Sequence, residues 1–164
     1  MYTSLQIWYN EGEDYNEMRI WTSRYANKKL NNKEHYCVGI SLGKPKFKLP
    51  YEIEEQCFML APRRDMWNKS RDEFCDAYRA MLDKYGEQKV TRCIMHMVGA
   101  AEGRDVALLC FEDVRDEEQY CHRTVLADWL NEHGFGDIEE LDDPTPVRVK
   151  KKEEPDAQMR MAIE

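Results

Sequence analysis

The feature of this sequence that most constrains its fold is an unbroken apolar run over residues 106–111, Val-Ala-Leu-Leu-Cys-Phe. A short apolar run that directly follows a helix-patterned segment is typical of a central parallel strand buried on both faces. Parallel strands need crossover connections, usually helices, to reach their neighbours in the sheet. The run therefore predicts an α/β domain.

The segments around this run supply the other elements of such a domain. β-branched and aromatic residues predict strands over 18–23 and 36–41, and residues 24–30 could form a helical turn or a short helix. Helical spacing of apolar residues predicts helices over 70–85, 87–102 and 120–133, the first of which begins with the capping box Ser70-Arg71-Asp72-Glu73. We therefore predict a single small domain of three layers, with a central, mostly parallel sheet flanked by helices.

The composition changes towards both ends of the chain. Residues 1–17 combine short apolar segments with an acidic run and are predicted to form an N-terminal arm, whereas residues 18–141 form the α/β domain. Residues 142–164 contain three prolines and blocks of charge, which predict a charged C-terminal tail. Within it, Val147 and Val149 could add an edge strand, and residues 159–163 could form a short helix.

Charge and hydropathy limit the classes of function. The chain has 24 Lys and Arg against 32 Asp and Glu, a net charge of -8, which argues against bulk nucleic-acid binding but allows a local basic patch. It contains no apolar stretch of membrane-spanning length and no signal-peptide pattern at its N-terminus. We therefore expect a cytoplasmic protein with no membrane partner.

The predicted topology places reactive residues at one edge of the sheet. In an open α/β sheet the carboxyl ends of the parallel strands form a rim, and ligands bind in the crevice outside it. The strand ends and the start of the last helix supply eight residues that we predict to bind a ligand at this rim: Trp21, Ser23, Arg24, Tyr25, Ser41, Lys44, Tyr120 and Arg123.

The triplet Cys121-His122-Arg123 at the start of the last helix predicts chemistry at the same rim. The positive end of a helix dipole favours an anion there and lowers the pKa of a thiol. Cys121 or Cys110 is the candidate nucleophile, His122 the candidate acid or base, and Glu112 the candidate to orient His122. Arg123, expected at the surface of the cleft, is the candidate anion clamp. Alternatively, Cys121 is simply a small buried residue, and His122 and Arg123 are surface residues of an amphipathic helix.

The spacing of cysteine and histidine residues does not favour a metal site. A zinc ion could use Cys110, Cys121 and His122, with a fourth ligand from Cys37, Cys57 or His35. However, adjacent Cys and His residues at one helix start are expected to point in different directions, and the sequence has no Cys-x-x-Cys pair. No glycine-rich loop fits the dinucleotide or Walker patterns either. We therefore expect neither a metal nor a cofactor.

Several segments, taken in order, carry a resemblance. They are 20–26 (IWTSRYA), 38–41 (VGIS) with 45–47 (PKF), 60–62 (LAP) before a helix containing Tyr78, 107–112 (ALLCFE) and 121–130 (CHRTVLADWL). Over about residues 18–133 the chain resembles the family called domain of unknown function 488. The resemblance implies a small α/β fold and a pocket at the predicted rim, but no particular reaction. Many members have an arginine after the serine of the second strand, where this chain has Leu42-Gly43-Lys44, so that Lys44 would have to replace it.

The sequence is compatible with three kinds of function. The rim could bind a small anionic, nucleotide-like ligand and act on it as an enzyme. It could instead hold a nucleotide signal without turnover, as a binding or sequestering protein does. A third alternative is an acidic protein-interaction module that uses the charged runs 10–17 and 112–118.

We predict that all six cysteines are reduced in the native protein. They are widely spread, and several lie in segments with helix or strand patterns that need no disulfide. Thiol titration of the denatured, non-reduced protein should therefore find six thiols. A lower number caused by intramolecular bridges would contradict the prediction.

Overall fold

The structure is a computed structural model that describes residues 18–148. The predicted N-terminal arm, Val149 and the possible helix over 159–163 lie outside the described residues. No helix within residues 18–148 has both the length and the apolar character needed to cross a membrane.

The described chain contains one five-stranded sheet whose strand pairs are all parallel. The strands are β1 (Ile20–Arg24), β2 (His35–Gly39), β3 (Glu55–Gln56), β4 (Asp105–Cys110) and β5 (Glu139–Glu140), in the order β3-β2-β4-β1-β5. The helices are α1 (Arg71–Tyr85), α2 (Glu87–Ala100) and α3 (His122–Glu132), with short 3-10 helices over Phe58–Leu60 and Arg64–Met66. The predicted α/β fold with a central parallel sheet is confirmed.

Strand β4 is the centre of the domain. It pairs with β1 on one side and with β2 on the other, and residues 106–109 have no exposed surface. Val106 and Leu108 pack into the large core that includes buried residues of α1, α2 and α3. Ala107 and Leu109 belong to a smaller core on the other face, together with Tyr51 and other residues of turns and loops. Helices therefore cover the first face of the sheet, and turns and loops form the layer on the other face.

The start of α1 matches its sequence pattern. Ser70 is the N-cap residue: its side chain accepts a hydrogen bond from the Glu73 backbone N–H, and the Glu73 carboxylate accepts one from the Ser70 N–H. Gly86, with φ of 81°, both ends α1 and caps α2. A positive φ costs glycine little because it has no Cβ, so two helices can follow each other across one residue.

Three local expectations differ from the structure. Residues 25–30 form hydrogen-bonded turns instead of a short helix, with Asn27 N–H donating to the Arg24 carbonyl. Val147 lies in no strand, and the outer strand next to β1 is β5. Strands β3 and β5 were not predicted, because two-residue strands of charged and amide side chains carry no apolar alternation.

Replacing Ser70 with Ala tests the helix start. Loss of the capping hydrogen bond should lower the free energy of unfolding by about 1 kcal/mol, measured by urea denaturation. Thr91→Ala, inside α2, is the control and should not destabilise the protein, because alanine is the better helix former. Equal destabilisation by both substitutions would contradict a specific role for the cap.

Candidate functional site

A pocket of about 700 Å³ opens at the carboxyl ends of β2 and β4, beside the start of α3. Five aromatic side chains line it: Phe47, Trp67, Phe74, Phe111 and Tyr120. Phe47, Trp67 and Phe111 are 50%, 59% and 42% exposed, which is unusual for large apolar residues. Such walls can bury a flat, apolar ligand body by stacking and contact.

Two cationic side chains also line this pocket. Lys44 and Lys46 lie in the loop that follows β2, and both are exposed. They place positive charge at the pocket of a chain whose net charge is -8. Any attraction of an anion to this site is therefore local.

The floor of the pocket brings together two thiols and an imidazole. Cys110 is the last residue of β4, Cys121 is the N-cap of α3, and His122 is the first residue of α3; all three are buried. The Nδ1 atom of His122 lies 3.8 Å from Sγ of Cys110 and 3.6 Å from Sγ of Cys121. The sequence predicted these three residues for the site, and the fold places their reactive atoms in contact.

The orientation of His122 is fixed from the opposite side of its ring. Its Nε2 lies 2.7 Å from the carbonyl oxygen of Ile40. A carbonyl only accepts, so Nε2 carries a proton, and in the neutral ring the lone pair is on Nδ1, facing both thiols. The expectation that Glu112 orients His122 is wrong, because the Glu112 carboxylate accepts a hydrogen bond from Sγ of Cys110 at 3.3 Å. A backbone carbonyl such as that of Ile40 leaves no side-chain signal in the sequence.

The surroundings separate the two thiols in acidity. Burial opposes ionisation of Cys121, but its contacts with Cys110 and His122 and the charges of His122 and Arg123 hold its pKa well below the usual range. The pKa of Cys110 is raised by the neighbouring Cys121, by burial and by the nearby charge of Glu112. Burial and the neighbouring Cys121 also raise the pKa of Glu112.

The same three side chains could hold a metal ion. One ligand atom each from Cys110, Cys121 and His122 lies within 4.8 Å of the others. The expectation that Cys121 and His122 point in different directions is therefore wrong. A metal-bound histidine commonly donates its other ring N–H to a carbonyl, as His122 does to Ile40. The set resembles a zinc site with three protein ligands and an open position towards the pocket.

Arg123 is not where the sequence placed it. Its side chain is fully buried, and it does not line the pocket. Its NH2 group donates at 2.8 Å both to the carboxylate of Glu140 and to the carbonyl oxygen of Glu112. The expectation of a surface anion clamp is wrong: Arg123 joins α3 to β5 and to the loop after β4.

Of the remaining candidates, four lie at the pocket or directly behind it. Lys44 and Tyr120 line the pocket, as does Ser41, whose hydroxyl donates to the Gly43 carbonyl at 2.7 Å. The Tyr25 hydroxyl lies 2.7 Å from Oγ of Ser41, and its ring packs edge to face against Phe111. Tyr25 is therefore a buried support of the pocket wall.

Trp21, Ser23 and Arg24 lie outside the pocket lining. Trp21 donates through Nε1 to Asp105, at the amino end of β4 and thus at the opposite end of the strand from Cys110. Ser23 is buried and accepts a hydrogen bond from Asn27. The guanidinium of Arg24 pairs with Asp113 and Asp143. These three side chains are engaged in internal contacts.

Several pocket residues were missing from the predicted set. Lys46 and Phe47 belong to the segment that carries the family resemblance, so the signal for them was present. Trp67 follows the basic pair Arg63-Arg64, and no periodicity distinguishes it. Its role at the pocket depends on the path of the loop between β3 and α1, which the sequence pattern does not define.

Arg123→Ala tests the buried role of this arginine. Breaking this buried ion pair should cost about 2–4 kcal/mol of unfolding free energy. The partial exposure of Glu140 keeps the cost below that of a fully buried pair. The control is Arg79→Ala, which removes an exposed, solvent-screened pair with Glu132 and should lower the stability much less. Chemical denaturation measures both. An Arg123→Ala protein as stable as the parent would contradict the assignment.

Comparison with known proteins gives one match. A family model described as "DUF488-N3a: Active DUF488-N3 subclade" matches residues 5–134. No curated protein and no solved structure matches the chain. Because the matched region covers most of the sequence, including the strands and helices that form the pocket floor, the protein belongs to the DUF488 family.

Proposed function

We propose that this protein is a cytoplasmic enzyme that binds a small anionic, nucleotide-like ligand in the aromatic pocket and attacks it with the thiolate of Cys121. One observation carries the proposal: Sγ of Cys121 and Nδ1 of His122 lie 3.6 Å apart at the floor of a pocket with aromatic walls and two lysines. A nucleophile beside its base, under a ligand-sized cavity, is the usual arrangement of a thiol enzyme.

The pocket lining supports the ligand class. A nucleotide joins a flat aromatic base to an anionic group, and the pocket offers exposed rings such as Trp67 and Phe111 together with Lys44 and Lys46. Stacking on aromatic side chains tolerates different bases, whereas a lysine binds a phosphate as a point charge. The lining therefore favours a nucleotide-like ligand without selecting one base.

The side chains of the floor define the chemistry. Nδ1 of His122 accepts the proton of Cys121, and the resulting imidazolium still donates through Nε2 to Ile40. The thiolate forms a bond to an electrophilic carbon of the ligand as the bond to the leaving group breaks. His122 returns its proton to the leaving group, and water then releases the second product from sulfur. The matching family model is described as an active subclade, which supports the proposal of an enzyme.

A zinc-dependent reaction is the second candidate. It is favoured by the arrangement of Cys110, Cys121 and His122, whose ligand atoms all lie within 4.8 Å of one another. Metal analysis of the protein purified without chelator separates the two candidates. One zinc per chain, lost in the Cys110→Ser variant, would favour the metal reaction over the thiolate.

Binding is tested with the four ribonucleoside monophosphates, the corresponding nucleosides and inorganic phosphate, using quenching of tryptophan fluorescence. We expect at least one monophosphate to bind more tightly than its nucleoside or phosphate alone. Replacing both Lys44 and Lys46 with Ala should weaken that binding about tenfold or more. Lys48→Ala, in the same loop but outside the pocket lining, is the matched control. Equal loss in the control, or no preference for a monophosphate, would contradict the proposed ligand class.

Reactivity is tested by alkylation with iodoacetamide and peptide mapping as a function of pH. Because its pKa is lowered, Cys121 should react at pH values well below those at which Cys110 reacts. His122→Asn should shift the Cys121 profile to higher pH, and Cys75→Ser should leave it unchanged. Recovery of the bound monophosphate unaltered from the parent protein, with full Cys121 reactivity, would support a binding protein instead of an enzyme.

A further inference from the structure

A second pair of thiols lies outside the pocket floor. All six cysteines fall within the described residues and are free, and Sγ of Cys57 lies 3.3 Å from Sγ of Cys93. Cys57 follows β3, and Cys93 lies in α2, so the pair joins the outer strand of the sheet to a helix. A disulfide needs about 2.05 Å between sulfurs, so these atoms have to approach by only about an ångström.

The two sulfurs are in different environments. The hydrogen bond from Cys93 lowers the pKa of Cys57 to about 7, with help from the backbone N–H groups of Leu60 and Met59 and against burial. The pKa of Cys93 is raised by the same hydrogen bond, by burial and by nearby negative charge. Cys57 is therefore partly ionised near neutral pH while Cys93 keeps its proton, and the thiolate is the form of cysteine that reacts with oxidants.

We propose that Cys57 and Cys93 form a reversible disulfide when the protein meets a hydroperoxide. The thiolate of Cys57 attacks one peroxide oxygen, the O–O bond breaks, and Cys57 becomes a sulfenic acid while the other oxygen leaves as water. The Cys93 sulfur then attacks the Cys57 sulfur and the second oxygen leaves as water. Two thiols lose two electrons and two protons in total, and one hydrogen peroxide becomes two water molecules.

This modification goes beyond the proposed function and does not rest on it. The segment that begins at Cys57 is nevertheless connected to the pocket floor. The Cys57 N–H donates to the Gly39 carbonyl at 2.8 Å, and Gly39 precedes Ile40, which holds His122. The Leu60 carbonyl accepts from the Tyr78 hydroxyl, and the Tyr78 ring packs edge to face on His122. Cys57 is therefore connected to His122 through the backbone at Gly39 and Ile40, and the segment that follows Cys57 is connected to His122 through Tyr78.

The test is differential labelling of the full-length protein treated with hydrogen peroxide. Free thiols are blocked with iodoacetamide in denaturant, disulfides are then reduced, and the released thiols are labelled with N-ethylmaleimide before peptide mapping. Cys57 and Cys93 should carry the second label, N-ethylmaleimide. When dithiothreitol is added before blocking, both residues should carry the first label, iodoacetamide, instead. Cys37, whose pKa burial raises to about 12, and the half-buried Cys75 should carry the first label throughout.

Two single variants make the assignment specific. Cys93→Ser should stop the reaction at a sulfenic acid on Cys57, which dimedone traps and mass spectrometry detects. Cys75→Ser, the control, should form the Cys57–Cys93 bond as the parent does. The proposal is overturned if, after peroxide treatment, Cys57 and Cys93 of the parent protein both carry the first label and dimedone traps no sulfenic acid in Cys93→Ser. A bridge from Cys57 to Cys121, or between two chains, would also overturn it.

Discussion

The parallel pairing of β4 with β1 and β2 is the constraint on which the rest of the structure depends. Parallel strands all end at the same edge of the sheet, so Cys110 at the end of β4 lies beside the residues that follow β2. The Ile40 N–H donates to the Leu109 carbonyl, which places the Ile40 carbonyl where Nε2 of His122 reaches it. Strand pairing thus positions the imidazole as well as the first thiol.

The sequence predicted the elements whose residues repeat with a clear period. The apolar run of β4, the capping box of α1 and the helical spacing in α1 and α2 each reflect a local physical cause, and the structure contains each of them. The positions of the two cysteines and the histidine of the pocket floor also followed from their places at a strand end and a helix start. The apolar periodicity of a buried element and the capping residues of a helix lie within a few residues of each other, so they can be recognised in the sequence.

What the sequence could not predict depends on partners that are distant in the chain. Arginine is typical of protein surfaces, and the contacts of Arg123 with Glu140 and with the Glu112 carbonyl explain how its guanidinium can be fully buried. Trp21 lies in a strand whose direction was predicted, but its contact with Asp105 places its ring far from the carboxyl end. Strands β3 and β5 exist because a neighbouring backbone pairs with them and not because of their own side chains.

The two cysteine pairs follow one electrostatic rule. In each pair, the neighbouring sulfur lowers the pKa of one thiol and raises that of the other, because burial disfavours two negative charges side by side. The difference between the pairs is the third partner. His122 stands beside Cys121 and can take and return a proton, whereas Cys57 is held by backbone N–H groups that only donate. The proposed acid and base chemistry therefore rests on the pocket pair, whereas the pair at Cys57 supports the proposed chemistry between its own two sulfurs.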